Sequence, residues 1–377
     1  PAKMGPSYVF FELANAPSVS YRLELPSSAS RRSPSLSPDH PSGDGNETIE
    51  AGKDGTAKGV QAETYTATAT ATNESHPVGS SDTIVIQQDV AGAAQTHTGG
   101  IVWETSYLLL NYLLSSNEWL MDPPSGGCHN TGSSSCTTAT TSALTTILEI
   151  GAGCGMLGLS LHKAFELGII GGGSSNNSKK MDGTSSSSPS SSRVILTETN
   201  EVIENLRKNL ERNYPSLSFN DETTSNCKGN GNQTNAPIHR LFVDELDWLR
   251  CKDDCANANI EAHSVDCIVG TDVVFSTRFV LPMLETMRFL SHPKTVIYLC
   301  LQERCKDSHQ LLLKEAIRYG FRVEDISETV YDDKDLARSC GFGRALECKL
   351  LKLTVVVGTN LKEKLKKETK NKRKEQR

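Results

Sequence analysis

The sequence predicts an α/β protein with a doubly wound, Rossmann-like sheet, in which parallel strands are covered by helices on both faces. Short apolar runs of the length of buried strands alternate with amphipathic helical segments over more than 200 residues. A glycine-rich turn also follows the first of these runs and opens the next helical segment. A strand, a glycine turn and a helix in this order are typical of the ligand-binding end of such sheets.

Each predicted strand is a short apolar run that ends in glycines or in a polar segment. The first run, Ile147–Ile150, leads directly into the glycine turn. The predicted strands lie at 147–150, at 194–196, within 265–275, at 295–301 and at 348–357.

The helical segments show apolar residues with the 3.6-residue period of an α-helix. The clearest is 201–213, which places its apolar residues on one face and its charged residues on the other. The apolar residues are Val202, Ile203, Leu206 and Leu210. Helices are predicted at 101–114, 156–165, 201–213, 278–290 and 308–319.

The chain also contains segments that bury too little apolar area to offset backbone entropy, and these are predicted to be disordered. Before them, the N-terminal strand segment 1–26 carries Tyr8–Leu25, which is expected to pair with Thr83–Gln88 in a small β-hairpin extension. The resulting division is a disordered insert at 27–80, a main domain at 81–358 with inserts at 121–142, 171–192 and 220–236, and a basic tail at 359–377.

Composition narrows the class of protein. The 377 residues are 37% hydrophobic, below the usual ~45–50%, so much of the chain is expected outside a core. No run reaches the ~18 apolar residues of a membrane-spanning helix, and the N-terminus lacks the pattern of a secretory signal. None of the eleven cysteines forms a Cys-x-x-Cys pair, so no metal site is expected. Without a secretory signal, the thiols are expected to be reduced, in a cytoplasmic or nuclear location.

Charge is distributed unevenly along the chain. Residues 361–377 hold nine Lys or Arg and three Asp or Glu, whereas the whole chain has a net charge of -6. A basic tail on an acidic body argues against a broad nucleic-acid surface. The tail itself is open to three interpretations: an import signal, a contact for an acidic partner, or a solvated end.

The turn Gly151-Ala-Gly-Cys-Gly155 predicts a ligand site. Glycines let the backbone approach a ligand closely, and the following helix presents free N–H groups. Two ligands fit such a turn: a dinucleotide, with its pyrophosphate on the helix end, and S-adenosylmethionine, which has no phosphate. Both need a carboxylate at the end of the next strand for the ribose hydroxyls, and Glu198 is the candidate. When the insert at 171–192 is left out of the count, the number of residues from Gly151 to Glu198 is close to the ~20 expected.

Five motifs in order carry a family resemblance. They are Val102-Trp-Glu104, Leu148–Gly158, Thr197-Glu-Thr-Asn200, Val243–Trp248 and Gly270-Thr-Asp-Val-Val-Phe275. Together they resemble the seven-strand protein lysine methyltransferases of the methyltransferase-like 21 group, over roughly residues 83–358 apart from the inserts. The resemblance implies a seven-stranded methyltransferase sheet, S-adenosyl-L-methionine as cofactor, and a lysine side chain of a protein as methyl acceptor. It also implies a protein partner such as a chaperone, an ATPase or a translation factor.

The resemblance further implies cofactor-binding roles at the matching positions. Two tryptophans line the cofactor site, the glycine turn contacts the methionine part, and an acid binds the ribose, where Asp is commoner in the family than Glu. Thr271 stands where many relatives have Ala, so a backbone contact is implied for it. The residues concerned are Trp103, Gly151, Ala152, Gly153, Glu198, Trp248 and Thr271.

Asp272 and Phe275 match the family's Asp-x-x-Tyr/Phe motif, which faces the substrate, and are the predicted catalytic residues. An acceptor lysine of pKa ~10.4 must lose a proton before it can attack. Asp272 would orient the lysine head, and Phe275 would form an apolar wall that favours the neutral amine. A cap on the following helix is the alternative for Asp272.

Three other functions remain open from the sequence: methyl transfer to a non-protein small molecule, an NAD-type oxidoreductase, and a non-catalytic binding module of the same fold. Trp103, Trp248 and the Asp272–Phe275 motif disfavour the oxidoreductase, because a dinucleotide site does not need them. The intact acids and glycines disfavour the binding module.

Overall fold

A computed structural model describes residues 16–23, 67–72, 82–90, 99–115, 145–170, 191–216, 239–332 and 347–356. Its strands are β1 Ser18–Leu23, β2 Ala67–Thr72, β3 Thr83–Gln87, β4 Thr145–Ile150, β5 Ser192–Glu198, β6 His239–Glu245, β7 Val265–Thr271, β8 Ser291–Gln302, β9 Phe321–Asp325 and β10 Cys348–Val355. Its α-helices are α1 Glu104–Ser115, α2 Met156–Glu166, α3 Ile203–Asn213, α4 Cys251–Asn257, α5 Thr277–Leu290, α6 Lys306–Arg318 and α7 Ser327–Asp332. A 3-10 turn spans Trp248–Arg250.

The main sheet has seven strands in the order β6-β5-β4-β7-β8-β10-β9. The five strands from β6 to β8 are parallel, whereas β10 runs antiparallel between β8 and β9. The predicted doubly wound α/β class is confirmed. Strand order reverses between β4 and β7, and ligands of such sheets bind outside the carboxyl ends of the strands at this switch point.

The core lies on both faces of this sheet because alternate side chains of each strand point to opposite faces. In β4, Ile147 packs among residues of α1, α2 and α3, whereas Leu148 and Ile150 pack among residues of α4, α5 and α6. All three side chains are fully buried. The apolar runs that predicted the strands are therefore covered on both sides.

A second sheet of three antiparallel strands, in the order β2-β1-β3, packs on the α2 and α3 side. The β1–β3 pair confirms the predicted N-terminal hairpin. The prediction of disorder at 27–80 is wrong for β2, which pairs along the whole of β1. Its alternating Ala and Thr residues contain three β-branched side chains, which favour strands.

Two asparagines of α3 bind the edge of this small sheet. The Asn209 amide accepts from the Gln87 N–H and donates to its carbonyl, at 2.8 and 3.0 Å. Asn213 does the same with Val85, at 2.8 Å for both bonds. Asn209 and Asn213 are four residues apart on the helix, a rise of about 6.0 Å, whereas Val85 and Gln87 are two residues apart on the strand, a span of ~6.8 Å. Because these lengths are similar, each side-chain amide lies opposite one peptide group of the strand.

Besides β2, four further elements were not predicted. β6 and β9 are edge strands, and both carry exposed polar residues that interrupt their apolar pattern. The helices α4 and α7 are only seven and six residues long, too short for a clear periodicity. The predicted inserts at 121–142 and 220–236 lie outside the described residues, as does 171–190, whereas Ser192 already belongs to β5. Within the described ranges, no helix is both long and apolar enough to cross a bilayer.

Candidate active site

A cleft of about 330 Å³ opens at the carboxyl ends of β4, β5 and β7, the expected position for this fold. All nine residues predicted from the sequence to bind cofactor or act in catalysis line it. They are Trp103, Gly151, Ala152, Gly153, Glu198, Trp248, Thr271, Asp272 and Phe275. Residues distant in sequence are therefore brought together in one cavity.

The glycine turn forms the floor of the cleft in a conformation that requires glycine. Gly151 has a φ of 60°, and a Cβ there would lie 3.0 Å from Val273 Cγ1. Gly155 has a φ of 84°, and a Cβ there would lie 2.5 Å from Leu206 Cδ1. Side chains at these positions would be strained or would clash, so the turn keeps its backbone close to the cavity.

The Glu149 side chain binds the backbone at the start of α2. Its Oε2 accepts a hydrogen bond from the Gly158 N–H at 2.8 Å, and the side chain is buried. Burial raises the pKa of this carboxyl to about 8. A Cβ at Gly158 would lie 2.5 Å from the same oxygen, which explains the glycine at this helical position. Glu149 was not singled out from the sequence, where it is one polar residue inside an apolar strand.

Glu198 ends β5 and borders the cleft. Its Oε2 accepts from the Thr199 N–H at 2.9 Å, and its Oε1 lies 3.4 Å from the Gly153 nitrogen, which donates to it. Burial raises the pKa of the Glu198 carboxyl to about 7, although both backbone hydrogen bonds act to lower it. The carboxyl is thus fixed against the glycine turn at the position expected for a ribose-binding acid.

The two tryptophans reach the cleft from different elements. Trp103 lies directly before α1, and Trp248 opens the 3-10 turn, where Asp247 Oδ1 caps the Leu249 N–H at 2.9 Å. The Trp248 ring is 3.5 Å from the Cβ position of Gly151. Both indoles are partly exposed, so each offers an apolar surface to the cavity.

Thr271 lies at the end of β7, and its hydroxyl is 3.1 Å from the Ser106 hydroxyl of α1. Both residues line the cleft. The side chain therefore links the sheet to α1, a role that the sequence did not indicate.

Asp272 follows directly, with a left-handed backbone at φ 50°. Its Oδ1 accepts from the Gln302 N–H at 2.7 Å, and its Oδ2 accepts from Arg304 Nη2 at 3.0 Å. The side chain is only 5% exposed. Ser276, and not Asp272, is the N-cap residue of α5, so the capping alternative is wrong. The carboxylate is held by the end of β8 instead.

Phe275 lies at the rim of the cleft and is 43% exposed. Its ring centroid is 5.5 Å from that of Phe279, which in turn meets the Trp248 ring edge-on at 6.3 Å. These three rings form an aromatic row from the rim to the wall of the cavity.

Arg304 and Glu104 lie beside the cleft, and neither was given a role from the sequence. Glu104 belongs to a recognised motif but was given no role, and Arg304 lies two residues after β8. The position of Arg304 just beyond the carboxyl end of a parallel strand next to the switch point was an available signal.

The chemistry of the cleft suits a cation better than a phosphate. None of the described residues that line it is Lys or Arg, whereas four are acidic. The acids are Glu198, Glu201, Asp247 and Asp272. A pyrophosphate would meet these carboxylates, and the Arg304 guanidinium beside the cleft is already paired with Asp272. A sulfonium ion, in contrast, would be attracted to the carboxylates and to the indole faces. Among the described residues, no group of three or more His, Cys, Asp or Glu could hold a metal ion.

The seven-stranded sheet, with β10 antiparallel between β8 and β9, is a Rossmann-like methyltransferase fold. The sequence model of the lysine methyltransferase family matches residues 80–316, and the chain belongs to this family. Its cofactor is S-adenosyl-L-methionine.

Three solved structures to which this chain is similar share only 12% to 14% of their sequence with it. Precorrin-6y C5,15-methyltransferase from Geobacter metallireducens GS-15 is 12% identical, with 48% of this chain and 66% of that chain covered and a TM-score of 0.28. The CurJ carbon methyltransferase is 14% identical, with 71% and 58% covered and a TM-score of 0.36. The fibrillarin pre-rRNA processing protein of Methanococcus jannaschii is 12% identical, with 57% and 67% covered and a TM-score of 0.32.

The chain thus spans less than two thirds of the length of the first two of these proteins. At such TM-scores the structural similarities carry no argument about function. A search of curated proteins finds no match. The family assignment therefore rests on the sequence match over residues 80–316.

Proposed function

We propose that this protein transfers a methyl group from S-adenosyl-L-methionine to a lysine side chain of a protein substrate. The observation that carries the proposal is the position of Asp272 and Phe275 in the same cleft as the glycine turn and Glu198. A residue pair suited to an amine thus lies beside residues suited to the methyl donor.

When bound, S-adenosyl-L-methionine supplies a methyl group made electrophilic by its positive sulfur. On the donor side, Glu198 would accept hydrogen bonds from the ribose hydroxyls, since its carboxylate oxygens have lone pairs beyond those used by the backbone N–H groups. Trp103 and Trp248 would cover apolar parts of the donor, and the glycine turn would let the backbone approach it.

On the acceptor side, Asp272 would attract and orient the lysine ammonium with a carboxylate whose direction is already fixed by Gln302 and Arg304. Making a lysine neutral at pH 7 costs about 4.6 kcal/mol in water. The ring of Phe275 would lower this cost by excluding water from the charged form. The amine proton would leave to solvent at the open rim, so that no dedicated general base is needed.

A protein substrate is supported by the apolar rim of the cleft. Phe275, which lines the cleft, is 43% exposed, and Leu249, directly after the lining residue Trp248, is 59% exposed. Large exposed apolar side chains around a cavity favour docking of a macromolecule. A chaperone, an ATPase or a translation factor as the partner, and the cytoplasm or nucleus as the location, stay predictions.

The proposal is tested by incubating the purified protein and cofactor labelled in the methyl group with a lysate from cells that lack the protein. We expect label in acid-precipitated protein and, after hydrolysis, in methylated lysine. Label found only in small molecules would overturn the protein substrate. Cofactor binding without any transfer would favour the non-catalytic alternative.

A further inference from the structure

Beside the cleft, the side chain of Arg304 contacts three functional neighbours at once. Its Nη2 donates to Asp272 Oδ2 at 3.0 Å and lies 3.5 Å from Glu104 Oε1. The guanidinium carbon lies 4.1 Å from the centroid of the Trp103 ring, within cation–π range. One side chain thereby joins a residue of the donor side of the cleft to a residue of the acceptor side.

Asp272 depends on such contacts because its own backbone does not favour its position. A left-handed conformation is unfavourable for a residue other than glycine, although Asp tolerates it better than most. The end of β8 compensates with three contacts. The Asp272 N–H donates to the Cys300 carbonyl at 3.0 Å, and the carboxylate accepts from Gln302 and Arg304. Of these, only the contact with Arg304 involves a side chain on the β8 segment.

Glu104 gives Arg304 a second anion to bind. Its side chain is 4% exposed, and among the described residues its Oε2 is buried without a hydrogen-bond partner. Burial raises the pKa of the Glu104 carboxyl, whereas the nearby Arg304 acts to lower it. Two nearly buried carboxylates thus share one guanidinium, and removing that guanidinium would leave both without their cation.

We propose that Arg304 is a positioning residue for methyl transfer, which fixes the Asp272 carboxylate and the Trp103 indole relative to each other, with Glu104 as its anchor. This inference rests on the proposed function. The bonds from Gln302 and Arg304 engage one lone pair on each oxygen of Asp272, which leaves the others to meet an acceptor ammonium from a fixed direction. The flat guanidinium can stack on an indole and pair with carboxylates at the same time, which a lysine ammonium does poorly.

The test compares Arg304→Gln and Arg304→Lys with a matched control, Arg318→Gln, whose guanidinium pairs with Glu315 on α6. Transfer is measured as label incorporated into protein of the lysate at saturating cofactor. We expect Arg304→Gln to slow transfer by about 10–100-fold, Arg304→Lys to recover only part of it, and the control to match the wild type. Where Arg304→Gln does not fold, Glu104→Gln tests the same linkage and should slow transfer by a smaller factor.

A double-mutant cycle with Asp272→Asn separates positioning from general destabilisation. If Arg304 acts through Asp272, the double variant is no slower than Asp272→Asn alone. A readout without catalysis is tryptophan emission, which should change on Arg304→Gln in the wild-type background but not in a Trp103→Phe background.

Additive effects in the cycle, or a rate for Arg304→Gln equal to that of the control, would overturn the positioning role while leaving the proposed function intact. Wild-type protein that binds cofactor but labels no protein would overturn both.

Discussion

Glu149 and Glu198 hold two ends of the same glycine segment from neighbouring strands. Glu149, in β4, binds the Gly158 N–H at 2.8 Å, and Glu198, at the end of β5, binds the Gly153 N–H at 3.4 Å. Burial raises the pKa of Glu149 to about 8 and that of Glu198 to about 7. The two carboxyls are close enough for the negative charge of Glu198 to add to the rise at Glu149. The shape of the donor site is therefore linked to the ionisation of two acids.

Glu198→Ala is expected to weaken binding of S-adenosyl-L-methionine by roughly 10–100-fold, because hydrogen bonds to a charged group contribute ~1.5–3 kcal/mol. The dissociation constant can be followed by quenching of tryptophan emission, since Trp103 and Trp248 line the cleft. Glu204→Gln, an exposed acid of α3, is the control. An unchanged dissociation constant for Glu198→Ala would remove this residue from the donor site.

Cofactor affinity is expected to depend on pH through the pKa of about 7 at Glu198. The ionised carboxylate attracts the positive sulfur and accepts the ribose hydroxyls more strongly than the neutral acid. Affinity should therefore be highest above pH 7 and should fall, by up to about tenfold per pH unit, as the acid is protonated below it. Titrations at pH 6 and pH 8 measure this change. The same pH dependence in Glu198→Gln would show that another group causes it.

The free energy of unfolding should fall as pH rises, whereas cofactor affinity should increase, and Glu149 is the cause of this fall. Its folded pKa of about 8 lies above the ordinary value of 4.5 for a glutamate, so the folded state binds the proton more tightly. The resulting stabilisation is complete below pH 4.5 and is lost as pH rises to about 8, by up to ~1.4 kcal/mol per unit. Urea unfolding at pH 6 and pH 8.5 should show this loss for the wild type.

Glu149→Gln is the matched variant, because its amide oxygen can still accept from the Gly158 N–H without titrating. Its free energy of unfolding should change less between these two pH values than that of the wild type. Equal pH dependence in the two proteins would show that Glu149 is not the responsible group.

Asn209→Ala is expected to lower the free energy of unfolding by about 2–3 kcal/mol, because it leaves the Gln87 N–H and the Cys154 carbonyl without a partner. Lys208→Ala, an exposed neighbour on α3, should change it by less than about 0.5 kcal/mol. Hydrogen exchange at the Gln87 amide provides a local readout, which should accelerate only in Asn209→Ala. Slow exchange in that variant would contradict the role of the amide at this edge.

Asp272→Asn is expected to reduce methyl transfer at least 100-fold and to leave cofactor binding within about threefold of the wild type. Asn removes the charge but tolerates the left-handed backbone, whereas Ala would add backbone strain to the loss of the carboxylate. Label incorporation and the cofactor dissociation constant are measured on the same preparation. Transfer at the wild-type rate would exclude Asp272 from the acceptor site.

The sequence by itself determined the fold class and which residues meet in the cleft. The period of the apolar residues and the positions of the glycines are local signals in the sequence. In a parallel sheet the carboxyl ends of the strands lie together, so Gly151, Glu198 and Asp272 are expected in one place once the α/β class is known.

Only the tertiary structure decided what lies around them. The pairing of β2 with β1, the insertion of β10 between β8 and β9, and the contact of Arg304 with Trp103 each join segments far apart in the chain. No local pattern specifies such contacts, because their free energy depends on burial and charge that exist only after the sheet has formed.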